Sequence, residues 1–354
     1  MIAVVLDSNA IYSDPFLMSG NLKRLVGYSS LNKLDILISN VVMDEVINNN
    51  RNKIKTTFEK IKSQLKTINE TSGLQQLSVT EINIEQLDRD LTRRFSELSS
   101  MGSITLVPYQ NELLPELVNR ALKKIMPFKE NKEEFRDAVI WLSIVNYLKE
   151  NEYEKAFFIS NNSSDFCDPK TGTIHQDLVN DHDSIILYKN IKDFFIEEKI
   201  LLEELISTSI SHDLISWASD HKPTMATAKA VIKRFFFTEL GTKISQILSS
   251  ISVHELVDDI FDGYIQPYDV YDFEVEGIDI DIDIDAIVVT GQCITSDMVE
   301  IYQYNPIYDD SDEKFSFAGH TEVQVMVDFM YYISPDNEEA YDFDITGTKV
   351  KIIA

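Results

Sequence analysis

Cysteine is nearly absent: Cys167 and Cys293 are the only two among 354 residues. That excludes a disulfide framework, and without a paired Cys or His nearby it excludes a structural zinc site too. Both read as plain buried or half-buried thiols. No uninterrupted apolar run reaches the ~18–20 residues that a membrane span requires. The opening MIAVVLD meets a charge too early for a secretory h-region. A cytoplasmic protein with no membrane partner is therefore expected. Histidine is scarce and scattered, at His175, His182, His212, His221, His254 and His320, so no Ser-His-Asp constellation presents itself.

Positive charge is also short, with Lys+Arg 32 against Asp+Glu 59 and a net charge of -27. Phosphate binding rests on Lys and Arg, so this balance alone argues against nucleic acid. Its distribution reverses the argument. Residues 255–354 hold 25 Asp and Glu against Lys314, Lys349 and Lys351, which leaves only -5 for the first 254 residues. A local basic run, Arg51, Lys53, Lys55, Lys60, Lys62 and Lys66, reads as a solvated helix face.

What the chain does have is an apolar content of 44%, ample for two or three domains. IAVVLD, LDILISN, SITLVPY, KAFFIS and SIILY are short β-rich runs separated by helical patterns over Pro15–Tyr28, Glu112–Met126, Glu133–Leu148 and Asn190–Leu205. Alternating strands and helices predict a mainly parallel sheet with helices on both faces. Ile54, Phe58, Ile61, Leu65 and Ile68, then Ile84, Leu87, Leu91, Phe95 and Leu98, recur at helical spacing and predict a helical-hairpin insertion. After about residue 205 come helices, over Leu214–Ser219 and Met225–Phe261, expected as a connector. Beyond Gly263 the period becomes two, through Phe273, Val275, Ile278, Ile280, Ile282, Ile284 and Ile287, which predicts an antiparallel sheet with one wet face. Asp279, Asp281, Asp283 and Asp285 are expected on one side of a single strand. The expected organisation is an α/β domain over 1–205, a helical connector over 206–262 and an acidic antiparallel β domain over 263–354.

Four acidic clusters punctuate the first domain: Asp7 in VVLDSNAIY, Glu45 in VVMDEVINN, Asp137 in EEFRDAVIW, and Asp165 with Asn162 in FFISNNSSDF. Each borders a predicted strand or helix end, where sites form in parallel sheets. Converged carboxylates repel and resist burial unless a cation neutralises them, and hard oxygen ligands favour Mg²⁺ or Mn²⁺. Each acid alone also fits a structural role: Asp7 and Asp165 as caps, Glu45 and Asp137 as ion-paired helix residues. Asp137 is the sharpest candidate, one turn before Trp141 on an apolar helix.

In order and spacing these motifs resemble a PIN-domain nuclease over residues 1 to about 200. LDSNAI resembles the family's first-strand motif, VVMDEV the helix with the second acid, FRDAVIW the helix with the third, and ISNNSSDF the closing strand-end loop. RALKKIMPFKENKEEFRDAVIW followed by FFISNNSSDFCD is particularly similar to a bacterial PIN-like branch first described as a domain of unknown function. The resemblance implies a PIN-like sheet and metal-binding catalytic acids at Asp7, Glu45, Asp137 and Asp165, with Asn162 in or beside the metal shell. Ser8, Asn9 and Ser160 would orient them, and Asp44 and Asp168 rank lower. Asn162 stands where the family often has an acid, a neutral amide that lowers the charge of the site and leaves one or two ions open, and Asp165 lies one step beyond the commonest spacing. The implied reaction is Mg²⁺- or Mn²⁺-dependent phosphodiester hydrolysis leaving 5′-phosphate and 3′-hydroxyl ends. RNA is the favoured nucleic-acid substrate, in a defence or toxin-like role. The alternatives are a nuclease of single-stranded or flap DNA and a catalytically silent scaffold. Arg120, Lys123, Lys129 and Arg136 are candidates for phosphate contact or for salt bridges to Glu130, Glu133 and Glu134. A basic protein partner for the acidic β domain and a homo-oligomer complete the expected partners.

Overall fold

Ile2–Leu6 forms β1, and all five of its residues are buried, as befits a central parallel strand covered by helices on both faces. The computed structural model describes residues 1–354 other than 19, 73–76, 130–134, 169, 172, 258–259, 261, 306–313, 336–338 and 354. After β1 come α1 (Ser8–Ile11), α2 (Gly20–Ser30), β2 (Leu34–Ser39), α3 (Asn40–Ser72), α4 (Ile84–Ser100) and β3 (Thr105–Val107). Next follow α5 (Leu114–Lys123), α6 (Phe135–Glu150), β4 (Lys155–Ile159), α7 (Ser163–Phe166), α8 (Gln176–Asp181), β5 (Ile185–Tyr188), α9 (Ile191–Glu197) and α10 (Lys199–Ile206). The five strands lie in the order β3-β2-β1-β4-β5, all parallel. The chain thus runs outward from β1 in both directions, and the switch point falls between the carboxyl ends of β1 and β4.

All five expected strands are present, and with them the expected parallel sheet flanked by helices. Pro115 lies in the first turn of α5, and Lys124 in the left-handed region closes that helix. Two helical expectations need revising. The helix opened by VVMDEV and the first arm of the hairpin are one continuous 33-residue helix, α3. The hairpin's apolar stripe is buried only near its base: Phe58, Leu91, Phe95 and Leu98 are covered, whereas Ile61 and Ile68 are exposed. Its basic residues pair with neighbouring acids, Arg51 with Asp88 and Lys62 with Glu81. Asn190–Leu205 is two helices, α9 and α10, meeting at Glu198. α6 buries nine of its sixteen residues.

The chain divides into two units, Met1–Ser207 and Thr208–Ala354. The second contains α11 (His212–Asp220), α12 (Met225–Val231), a π turn over Ile232–Phe236, α13 (Phe237–Ser250) and α14 (Val253–Leu256). Then come β6 (Gly263–Pro267), β7 (Glu274–Ile282), β8 (Ile287–Tyr304), β9 (Phe315–Ser334) and β10 (Glu339–Ile352), forming the antiparallel sheet with order β10-β9-β8-β6 and β7 also paired to β8. The helices expected as a connector share one core with this sheet: Ala228, Ile232, Phe236, Leu240, Ile244 and Leu248 pack with Ile287, Val289, Val325 and Phe329. The acidic repeat does not run along a single strand face. β7 ends at Ile282, Asp283 turns inward with 5% exposure, and Asp285 lies exposed beyond it.

Among the described residues no helix is long and apolar enough to cross a membrane. Cys167 and Cys293 are both free and buried. Burial raises both thiols, Cys293 to about 12.

Candidate metal centre

Because β1 and β4 pair in register from Ile2↔Lys155 to Leu6↔Ile159, the residues just past their ends, Asp7 and Ser160, stand side by side. The Asp7 amide donates to the Ile159 carbonyl at 3.1 Å, which extends the ladder by one step. The Asp7 carboxylate then accepts three bonds: from the Ser8 amide at 2.8 Å, from Asn9 Nδ2 at 2.9 Å and from Ser160 Oγ at 2.6 Å. Asn9 Oδ1 accepts from the Asn161 amide at 2.8 Å, and Ser160 Oγ accepts from the Asn162 amide at 3.1 Å. The NNSS loop is therefore tied to the end of β1 through side chains that Asp7 orients. Asp7 also serves as the N-cap of α1, so the structural and the site roles coincide.

Asp7 is only 2% exposed. Burial raises its carboxyl above the ordinary value, Ser160, Ser8 and Asn9 pull it back, and the charge of Glu45 pushes it up again. Glu45, on the second turn of α3, is thus an electrostatic neighbour of Asp7. Tyr12 belongs to the same group: burial raises its phenol, which bonds to Ser8 and to Glu45. Tyr12 was not anticipated, because a lone tyrosine after a short helix carries no sequence signal for a site.

The remaining acids are held differently. Asp165, in α7, is 1% exposed and pairs with Lys129 Nζ at 2.5 Å. Its amide donates to the Asn162 carbonyl at 3.1 Å. Glu45 Oε1 accepts from Arg136 Nη1 at 2.9 Å, across 91 positions of sequence. Asp137 lies half-buried in the first turn of α6, next to Arg136. Asp44 faces solvent on the opposite side of α3 from Val42 and Val46. Asp168 accepts from the Lys170 amide, a bond that holds its carboxyl low and makes it a turn residue.

The basic candidates divide sharply. Arg120 is 3% exposed and fully engaged by Glu116, Asp181 and the Met126 carbonyl, so it is a structural residue of the α5–α8 packing rather than a phosphate contact. Lys123 is exposed. Lys129 and Arg136 touch two of the predicted acids; Glu130, Glu133 and Glu134, the other partners considered for them, lie outside the described residues.

Donor chemistry fits a divalent cation: carboxylate, amide and hydroxyl oxygens are the hard ligands that Mg²⁺ and Mn²⁺ take. The charge balance at Asp7 fits as well, since its three hydrogen-bond donors are all neutral while Glu45 adds a second negative charge. Among the described residues no three His, Cys, Asp or Glu side chains are gathered into a ligand set as they stand. Two of the acids hold Lys129 and Arg136 instead.

Residues 4–166 match the family model described as PIN domain. No curated protein and no solved structure matches the chain.

Proposed function

Since residues 4–166 belong to the PIN-domain family, whose members are generally nucleases, we propose that this protein is a metal-dependent endonuclease acting on phosphodiester bonds, with RNA as the favoured substrate. The observation that carries the reading is the buried Asp7 carboxylate at the β1–β4 switch point, oriented by Ser8, Asn9 and Ser160 and facing the charge of Glu45. A buried acid beside a second acid costs free energy that a purely structural cap would avoid.

Asp7, Glu45 and Asp137 would hold Mg²⁺ or Mn²⁺, with Asn162 and Asp165 on the loop side. A bound ion would supply Lewis-acid activation of water and neutralisation of charge at the phosphoryl group. The chain's own residues do the rest. Ser160 and Asn9 fix the Asp7 carboxylate in one orientation, which spares the reaction that ordering cost. Lys129 and Arg136, at the rim, are the cations best placed to meet phosphate oxygens once the acids are otherwise neutralised. The carboxylates act as ligands and orienting groups rather than nucleophiles, and the family resemblance implies products with 5′-phosphate and 3′-hydroxyl ends. A defence or toxin-like setting, in which such cleavage must be restrained, is the cellular role this activity suggests.

The test is cleavage of labelled RNA, single-stranded DNA and flap DNA in Mn²⁺ or Mg²⁺ by the full chain and by Asp137→Asn. Metal-dependent cutting of RNA, lost in the variant, is the expected result. Preferential cutting of either DNA would replace RNA as substrate. No cleavage of any of them under any metal condition would overturn the nuclease reading in favour of a silent binding protein, for which the amide Asn162 in place of an acid is the supporting observation.

A further inference from the structure

The sheet of the second unit carries, on the side away from its helices, an aromatic patch that phosphodiester chemistry does not use. Odd-numbered residues of β8, such as Ile287, Val289, Cys293, Val299 and Ile301, pack into the helical core, so the even-numbered Tyr302 and Tyr304 stand on the opposite face. Tyr264 of β6 stacks on Tyr302 with ring centroids 4.7 Å apart and planes within 3°. Phe315 meets Tyr264 and Tyr304 edge-on at 5.2 and 5.9 Å, and Phe317 meets Tyr302 at 5.8 Å. The five rings are therefore continuous across three strands. Cross-strand aromatic pairs stabilise sheets, yet Tyr264 and Phe317 keep 41% and 51% of their surface in water. A contiguous, partly exposed apolar patch of this kind marks an interaction site.

The charge around the patch selects the partner. Glu300 sits beside it, accepting from the Tyr268 and Tyr302 hydroxyls at 2.7 and 2.9 Å. Residues 255–354 contain no arginine and only three lysines. Bases could stack on these rings, but among the described residues of the patch Lys314 is the one lysine or arginine beside the rings, too little positive charge to neutralise a run of phosphates. Cations suit both the ring faces and the acids, and Lys314 Nζ already lies 5.6 Å from the Phe315 ring centre. We propose that this face docks an arginine-bearing segment of a basic protein, the guanidinium planes lying on the Tyr264–Tyr302–Phe317 surface with Glu300 as counter-charge.

The experiment is fluorescence anisotropy on the full chain with a labelled peptide of alternating arginine and glycine, its lysine counterpart of equal charge, and a labelled oligouridine. The arginine peptide should bind most tightly. Tyr264→Ala with Phe317→Ala should weaken it by about tenfold or more, as should the surface change Phe317→Lys, which decides the matter if the double variant misfolds. Glu276→Gln, an equal loss of charge elsewhere on the sheet, should change the affinity by less than roughly twofold. Absence of arginine-peptide binding, or equal weakening by Glu276→Gln and the ring variants, would overturn the proposal. So would tighter binding of oligouridine, or self-association of the chain abolished by Phe317→Lys, which would assign the face to nucleic acid or to a second copy.

Discussion

Replacing Lys129 with methionine removes the cation that Asp165 holds at 2.5 Å while keeping the length of the side chain. The acid end of this pair is 1% exposed and the lysine end 31%. Breaking a fully buried pair costs ~3–5 kcal/mol because one charge stays buried, whereas an exposed pair is worth ~0–1 kcal/mol. With one end in each regime, the loss should be about 1–3 kcal/mol. Trp141 is buried in the first unit and Trp217 lies in the second, so Trp217→Phe leaves a single fluorophore that follows the first unit alone. For a urea slope of about 2 kcal/mol/M the midpoint should fall by roughly 0.5–1.5 M in the absence of divalent ions.

The same variant probes the metal reading without any cleavage assay. If Asp165 contributes to a cation site, Lys129 and the cation compete for one carboxylate, so losing Lys129 should strengthen Mn²⁺ binding. Ligand binding to the folded state stabilises it by ~2.7 kcal/mol at a hundred times the dissociation constant. At a Mn²⁺ concentration that only begins to stabilise the parent protein, the variant's midpoint should therefore recover by a visibly larger amount. A variant as stable as its parent would refute the ion-pair reasoning. Equal or smaller stabilisation by Mn²⁺ would refute the competition and remove Asp165 from the metal shell.

Asp7→Asn should abolish metal-dependent cleavage yet leave the urea midpoint at pH 7 unchanged or higher, because it relieves a carboxylate that burial and Glu45 both disfavour; a large loss of stability would show that Asp7 is chiefly a cap. Asp297 is 7% exposed in the second unit, its Oδ2 has no hydrogen-bond partner among the described residues, and burial raises its pKa. A raised acid means the fold binds this proton more tightly than the unfolded chain, so the penalty is absent below the ordinary aspartate range and grows as pH climbs through the folded value. Asp297→Asn should thus gain about 1–2 kcal/mol at pH 7, with the gain vanishing towards about pH 3.5, as urea titrations at the two pH values will show. Gly291→Ala should destabilise the second unit by about 2 kcal/mol or more, since an added Cβ would lie 2.6 Å from the Gly277 carbonyl and 2.7 Å from the Phe329 ring; a neutral result in thermal unfolding would show that β7 can shift to make room.

The strands of the first unit were legible because each is a short apolar run with a turn after it, and in a parallel sheet the end of such a run is also where a site forms. Asp7 and the SNNSSDF loop that contains Ser160 could each be placed at a strand end from sequence on that ground, although their adjacency follows only from the pairing of β1 with β4. Their neighbours could not: Glu45 and Arg136 are 91 positions apart and Lys129 and Asp165 are 36 apart, and which cation reaches which acid depends on how α3, α6 and the loops stack, not on any local pattern. The helices after residue 208 are a different case. Ala228, Ile232, Phe236, Leu240, Ile244 and Leu248 recur every four residues, and all are buried. On an ideal helix a four-residue step overshoots a full turn by about 40°, so such a stripe drifts around the cylinder. The π turn over Ile232–Phe236 winds wider and turns the stripe back toward the sheet. A regular four-residue repeat was thus a readable sign that these helices cover a core. The acidic sheet supplies the other half of that core through alternate residues such as Ile287, Val289, Val325 and Phe329, while Ala286, Val288, Met330 and Tyr332 are buried in a separate cluster at the intervening positions, so the expected wet face is not wet throughout.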